Sequence, residues 1–339
     1  MKVGLTLGKF LPFHQGHELL LQTAAACVDK LIVLIGFTDE DFIPVQKRIE
    51  WAAKAIGGWP HQIIAQREFD INVSKDEKGT ITDESYWDRW LADTARILDD
   101  VSPSNYITHV FTSDEYGKRI AEELSAEWYP VDPDREIIQV SGTKVRSDLQ
   151  QYFSLLPNYV KPSFVKKVAI VGPESTGKSL LVKELGKHFG CPCVPEYGRT
   201  ICKPRHNKLN RQDFEVILHG QDAFIENAVS RCYDVPLVIS DTESLVTALY
   251  FELWHPDADS LPFFEFARQR DIDLYLCMAP SVPWVQDGER VMTEMQRWQF
   301  YYGMVQKLRE WKKPFHMIEH SDYTYRSAKV IEHIERLFK

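Results

Sequence analysis

Largely apolar runs alternate with stretches of helical period along this 339-residue sequence. Val3 to Leu7 and Leu31 to Ile35 read as strands covered on both faces, because few polar residues interrupt them. Between them, His17 to Val28 repeats its apolar positions at helical spacing, which predicts a βαβ unit. His109 to Thr112 and Ile137 to Val140 read as further strands of the same series. A break follows at Leu155-Leu156-Pro157-Asn158-Tyr159-Val160-Lys161-Pro162-Ser163, where two prolines interrupt regular structure. Beyond it, Lys167 to Val171 predicts a strand, Lys178 to Phe189 a helix, and Leu237 to Ser240 and Leu274 to Met278 two more buried strands. The pattern predicts two α/β domains with mainly parallel sheets, over residues 1–160 and 165–339.

The second series carries the more familiar chemistry. Gly172-Pro173-Glu174-Ser175-Thr176-Gly177-Lys178-Ser179 fits G-x-x-x-x-G-K-S between an apolar strand and a helix. Gly172, Ser175, Thr176 and Gly177 belong to a loop whose N–H groups turn inward around a β-phosphate. Lys178 reaches the β/γ-phosphates of ATP and Ser179 ligates Mg2+. Asp241 ends the apolar strand Leu237 to Ser240 and is the candidate second Mg2+ ligand, a strand-end turn aspartate being the competing reading. In Val194-Pro195-Glu196-Tyr197-Gly198-Arg199, Glu196 suits a base that deprotonates an attacking hydroxyl and Tyr197 offers a ring to a flat substrate. A surface acid in a turn competes with that role. Trp284 to Arg290 reads as a lid, with Arg290 for phosphates and Asp287 for a sugar hydroxyl, or as a solvated charged turn.

In the first series, Gly8-Lys9-Phe10-Leu11-Pro12-Phe13-His14-Gln15-Gly16-His17 stands between the first strand and first helix. His14 and His17, three apart at a helix start, lie on one face and can grip a triphosphate, with Gly16 keeping a side chain out of the ligand's path. Two capping or core histidines are the alternative. Ser141-Gly142-Thr143-Lys144-Val145-Arg146 adds hydroxyls and a permanently charged, bidentate arginine at a later helix start.

Composition narrows the class. Apolar residues are 44% and charged residues 26%, as in a soluble protein with a sizeable core. No apolar stretch approaches the ~18 residues of a membrane span, so a cytoplasmic location is expected. The six cysteines include no C-x-x-C pair, and free thiols are expected. Residues 1–160 hold 16 bases against 25 acids, whereas residues 161–339 hold 24 of each. An acidic domain beside a neutral one lacks the basic stripe of a nucleic-acid binder, while small anionic ligands remain compatible.

Together the H-x-G-H and S-G-T-x-x-R segments resemble the nucleotidylyltransferase superfamily. With Val45 to Trp51, Val131-Asp132-Pro133-Asp134-Arg135, and the second-half runs G-P-E-S-T-G-K-S, P-E-Y-G-R and W-V-Q-D-G-E-R, nearly the whole chain resembles the NadR family in order. That resemblance implies a Rossmann-like nicotinamide-mononucleotide adenylyltransferase domain followed by a P-loop ribosylnicotinamide kinase domain. It implies ATP as co-substrate, with nicotinamide riboside, nicotinamide mononucleotide and NAD as the other ligands. Gly8, Lys9, Phe10, Arg48, Ser141, Thr143 and Arg199 would join the nucleotide sites, and Asp70 and Trp87 would hold the nicotinamide. By spacing alone Trp87 and Trp90 share a helical face and suit a core equally well. Many family members carry an N-terminal helix-turn-helix, whereas Met1-Lys2 leads straight into the first strand, so repression of transcription is not expected. Transfer to a different acceptor, or an NAD/ATP-sensing protein with little turnover, are the rival readings.

Overall fold

The apolar runs become the inner strands of two parallel sheets. The structure, a computed structural model, describes residues 1–67, 84–101, 106–283 and 292–338, and they form two units, Met1–Val160 and Lys161–Lys339.

In the first unit the strands β1 (Val3–Gly8), β2 (Lys30–Phe37), β3 (His61–Arg67), β4 (His109–Thr112) and β5 (Glu127–Pro130) are ordered β3-β2-β1-β4-β5, all parallel. Helices α1 (Gln15–Cys27), α2 (Val45–Ile56), α3 (Glu84–Val101) and α4 (Tyr116–Glu123) connect them, and the short α5 (Gly142–Ser147) and α6 (Leu149–Tyr152) follow. Leu5, Ile32, Leu34 and Val110 pack with Leu98 and Ile120 into a core. The chain winds from β1 toward β3, then returns on the other side of β1, so a crevice opens beyond the carboxyl ends of β1 and β4.

Ile137 to Val140 is not a strand. The Ile137 and Ile138 N–H groups donate to the Asp132 carboxylate at 3.1 and 3.0 Å, and the Val140 N–H donates to the Ile138 carbonyl at 2.8 Å. With its donors spent locally, the segment makes a turn rather than a ladder.

The second unit orders β6 (Lys166–Val171), β7 (Cys193–Val194), β8 (Leu237–Asp241), β9 (Leu274–Met278) and β10 (Phe315–Ile318) as β10-β9-β6-β8-β7, again all parallel. Its helices are α7 (Lys178–Phe189), α8 (Tyr197–Cys202), α9 (Arg211–Ser230), α10 (Ser244–Trp254), α11 (Leu261–Arg268), α12 (Glu294–Glu310) and α13 (Tyr323–Glu335). Strand alternation feeds two cores: Val168 and Ile170 face one with Leu181 and Val330, while Ala169 and Val171 face the other with Phe251 and Tyr301. All six cysteines are free thiols. Among the described residues, no helix is long and apolar enough to cross a membrane.

Candidate active sites

In the first unit β1 runs into Gly8-Lys9-Phe10, and the following turn brings His14 and His17 to the start of α1. Each imidazole caps the backbone of the other. The His17 N–H donates to His14 Nδ1 and the His14 N–H donates to His17 Nδ1, both at 3.3 Å, a capping box made of two histidines. An accepting ring nitrogen carries no proton, so both rings are held as Nε2–H tautomers. The rings stack with centroids 3.5 Å apart, and Phe10 meets His17 edge-on at 4.8 Å. Burial, reinforced by the charges of Arg135 and Arg146, pushes the His14 pKa down to about 3. Burial, then His14 and Arg135, hold His17 well below its ordinary value. Both are neutral donors at physiological pH.

A cavity of about 330 Å³ opens on this pair. Gly8, Lys9, Phe10, His14, Gly16 and His17 line one side, Ser141, Thr143 and Arg146 another, and Asp114, Asp132 and Arg135 the rim. Gly16 has a packing reason beside the expected one, since a Cβ there would stand 3.1 Å from His14 Nδ1 and 3.4 Å from Val140. Ser141 Oγ accepts the Lys144 N–H at 3.2 Å. The Arg146 guanidinium donates to the Leu11 carbonyl and, at 3.1 Å, to Thr143 Oγ1. Arg48 is placed differently from the expectation. It is fully buried and absent from the cavity wall, donating to the Lys9 and Gly36 carbonyls at 2.7 and 3.0 Å and to Asp41 at 2.8 Å. The reason is its place on the inward face of α2, from which it ties the phosphate loop to the end of β2.

In the second unit the Gly172–Ser179 loop follows β6. Gly172 (φ 151°) is required, because a Cβ would strike the Met278 carbonyl oxygen at 2.5 Å. Lys178 is buried and donates to the Pro173 carbonyl at 2.7 Å, as Thr176 does at 3.0 Å. Burial lowers the Lys178 pKa against the opposing pull of Asp241 and Glu196. Burial likewise raises that of Asp241, opposed by Lys178 and by the neighbouring Ser179 hydroxyl. Ser175 Oγ, Asp241 Oδ1 and Thr242 Oγ1 are buried without a hydrogen-bond partner. One orphaned carboxylate oxygen beside a serine hydroxyl suits Mg2+, which takes one or two protein ligands and completes its shell from phosphates and water.

A cavity of about 400 Å³ adjoins the loop and holds Gly172, Ser175, Lys178, Glu196 and Arg199. Glu196 Oε2 pairs with Arg199 Nε at 2.7 Å. Tyr197 does not line it: its ring lies against Gly220 and 4.9 Å from Phe224. The first turn of α8 points it toward α9. Tyr250 and Trp254 of α10 supply the aromatic wall instead. Behind the wall, the buried Gln221 accepts the Tyr197 N–H at 2.8 Å and donates to Ser240 Oγ at 3.0 Å, linking the Glu196 turn to the strand that ends in Asp241.

Residues 5–148 match a family model described as Cytidylyltransferase-like, and residues 167–326 match one described as AAA domain. The chain is 28% identical over 357 residues to the Trifunctional NAD biosynthesis/regulator protein NadR of Escherichia coli (strain K12), covering 99% of this chain and 83% of that protein. The Salmonella typhimurium protein of the same name is likewise 28% identical, over 359 residues and with the same coverage. The chain is thus similar to NadR proteins along nearly its whole length. The fold agrees. A NadR protein crystallised in complex with NR superposes with a TM-score of 0.73 at 21% identity, covering 99% of this chain and 96% of that one. A NadR protein in complex with NAD and AMP-PNP superposes with a TM-score of 0.70 at 20% identity, covering 99% and 95%.

Asp70, Asp287 and Arg290 of this chain lie outside the described residues, as do the side chains of Trp87 and Trp90. Several residues about the two sites carry no local signal. Arg297, buried on α12, donates to the Glu174 and Ser175 carbonyls at 3.1 and 3.2 Å and so braces the loop. Tyr323 at the start of α13 lies where a Cβ on Gly177 would meet it at 2.8 Å. Tyr250, Trp254 and Arg297 belong to ordinary helical patterns, so only their spatial neighbours reveal them.

Proposed function

We propose that this NadR-type chain is a bifunctional NAD salvage enzyme. The second unit phosphorylates nicotinamide riboside with ATP. The first joins the resulting mononucleotide to AMP from another ATP, yielding NAD and pyrophosphate. The observation that carries the reading is the occurrence, in one chain, of two separately built cavities, one lined by the His14–His17 and Ser141–Arg146 segments and one by the Gly172–Lys178 loop, each beyond the end of the first strand of its own parallel sheet. The names and bound ligands of the relatives support the choice of pyridine nucleotides.

In the kinase step the riboside hydroxyl attacks the γ-phosphorus and gives its proton to Glu196, which shares the cavity with Lys178, while the bond from that phosphorus to the β,γ-bridging oxygen breaks and ADP leaves with the electron pair. Lys178 and the loop N–H groups carry the β/γ-phosphate charge, and Tyr250 and Trp254 offer flat surfaces for the pyridine ring. Ser179 and Asp241 would hold Mg2+, which when bound neutralises charge on the transferring phosphates. In the adenylyl step the mononucleotide phosphate attacks the α-phosphorus of ATP without a covalent enzyme intermediate. The His14 and His17 Nε2–H groups donate to charge growing at that centre, and Thr143 and Arg146 hold the β/γ-phosphates.

Incubating the full chain with nicotinamide riboside, ATP and Mg2+ tests the proposal. Chromatography should show the mononucleotide, then NAD. Tight binding without product would replace it with a sensor, and product only from another acceptor would change the substrate.

A further inference from the structure

Val131-Asp132-Pro133-Asp134-Arg135 leaves the end of β5 on the way to α5. Asp132 (φ 49°) and Arg135 (φ 55°) both take the left-handed conformation, which aspartate tolerates and arginine pays for in strain. The turn is held from within. The Asp132 carbonyl accepts the Arg135 N–H at 3.0 Å, while its carboxylate accepts the Ile137 and Ile138 N–H groups at 3.1 and 3.0 Å. These bonds fix the root of Arg135 at the rim of the cavity that contains His14 and His17.

Two arginines line that cavity, and they differ in what holds them. Arg146 is pinned by its bonds to the Leu11 carbonyl and Thr143 Oγ1. Among the described residues the Arg135 side chain is held by one ion pair, 3.4 Å to Asp114 Oδ1, and the two side chains are 37% and 58% exposed. An exposed pair of that length is weak and readily exchanged for a better anion. Arg135 lies near enough to both imidazoles for its charge to depress their basicity, whereas Arg146 contributes only at His14.

We propose that Arg135 is a catalytic residue of the adenylylation site, releasing Asp114 to bind the triphosphate across from Arg146. This rests on the adenylyltransferase reading given above. An oxygen of the mononucleotide phosphate forms a bond to the α-phosphorus as the bond from that phosphorus to the bridging oxygen breaks, and the electron pair leaves on pyrophosphate. Arg135 transfers no proton. Its guanidinium donates hydrogen bonds to the phosphate oxygens as charge moves toward the leaving group, which a planar, permanently charged fork does better than a point charge.

The test is steady-state NAD synthesis by the full chain from nicotinamide mononucleotide and ATP with Mg2+, alongside thermal melting. R135A should lower kcat/KM about 100-fold with an unchanged melting temperature. R135K, which keeps the charge and loses the fork, should recover part of the loss. The pyrophosphorolysis of NAD should fall by the same factor as synthesis, since a group that stabilises the shared transition state affects both directions. Wild-type kcat/KM in R135A would overturn the assignment, as would equal losses in R135A and R135K accompanied by a lower melting temperature. If the unaltered chain makes no NAD from these substrates, the adenylyltransferase reading itself fails, a result distinct from either.

Discussion

The two proposed phosphate sites stand at equivalent places in similar sheets yet are built from different donors. In the first unit the donors are side chains, two neutral imidazoles that fix one another's tautomer, with charge supplied by arginines at the rim. In the second they are loop N–H groups around one buried ammonium, with a buried carboxylate nearby. The difference teaches where each site is vulnerable. Imidazoles that cap each other couple chemistry to local folding, so a single substitution disturbs both. The P-loop takes most of its shape from backbone, braced by Arg297, and concentrates its side-chain chemistry in few residues.

The largest expected effect tests whether the sites are separate. Lys178→Ala should reduce riboside phosphorylation by about a thousandfold, while NAD synthesis from the mononucleotide continues. Loss of both activities in a folded variant would break the comparison.

Next comes His17. His17→Ala should lower adenylyl-transfer turnover by about 100-fold with a modest change in KM for ATP, and should also lower the melting temperature, because the ring caps α1. His17→Gln separates the roles: glutamine is a regular capping-box partner at that position and should restore the melting temperature but not turnover. Recovery of turnover by the glutamine variant would reduce His17 to a structural cap.

Gln221→Leu strands the Tyr197 N–H and removes the bond that Ser240 Oγ accepts, leaving that hydroxyl its donation to the Thr242 carbonyl at 2.7 Å. We expect riboside phosphorylation to slow by roughly tenfold, with KM for ATP unchanged since the loop itself is intact. A KM effect without a kcat effect would contradict this positioning role.

A contrast of a different kind is the pH dependence of local stability, and its sign should differ between the units. With a folded pKa of about 3 against 6.5 for the free side chain, His14 leaves the unfolded chain binding more protons between those values. Its contribution is therefore lost as pH falls through that window, at about 1.4 kcal/mol per pH unit. Glu243, buried at the N-terminus of α10, is raised by burial from 4.5 to about 8. There the folded state binds the extra proton, so its contribution is lost as pH rises from 4.5 to 8. Hydrogen exchange at pH 5 and pH 8 should show α1 protected more at the higher value and α10 at the lower. A shift of both in one direction would refute the assignment.

Much of the fold is legible because inner strands of a parallel sheet are covered on both faces. β1, β2, β4, β6, β8 and β9 read as largely apolar runs for that reason. Of the four edge strands, which have one neighbour each, β7 is only two residues long, and β3, β5 and β10 carry polar residues such as His61, Gln62, Glu127 and His316, so no unbroken apolar run marks them. Ile137 to Val140 misleads in the opposite way: its apolar residues suggest a strand, but Asp132 takes its donors.

What the sequence determines by itself is the chemistry set by contiguous residues. Three residues along one helix turn place His14 against His17, and a glycine-bounded loop before a helix shapes the phosphate cradle, whatever lies elsewhere in the chain. Which way an isolated side chain faces is decided only by long-range packing. Arg48 turns into the core because α2 presents it there, Tyr197 turns to Phe224, and Tyr250 and Trp254 take the cavity wall from a helix some 50 residues farther along. Arg135 reaches the histidines across more than 110 residues of sequence because β5 lies two strands from β1, and it is sheet order, not spacing, that sets that distance.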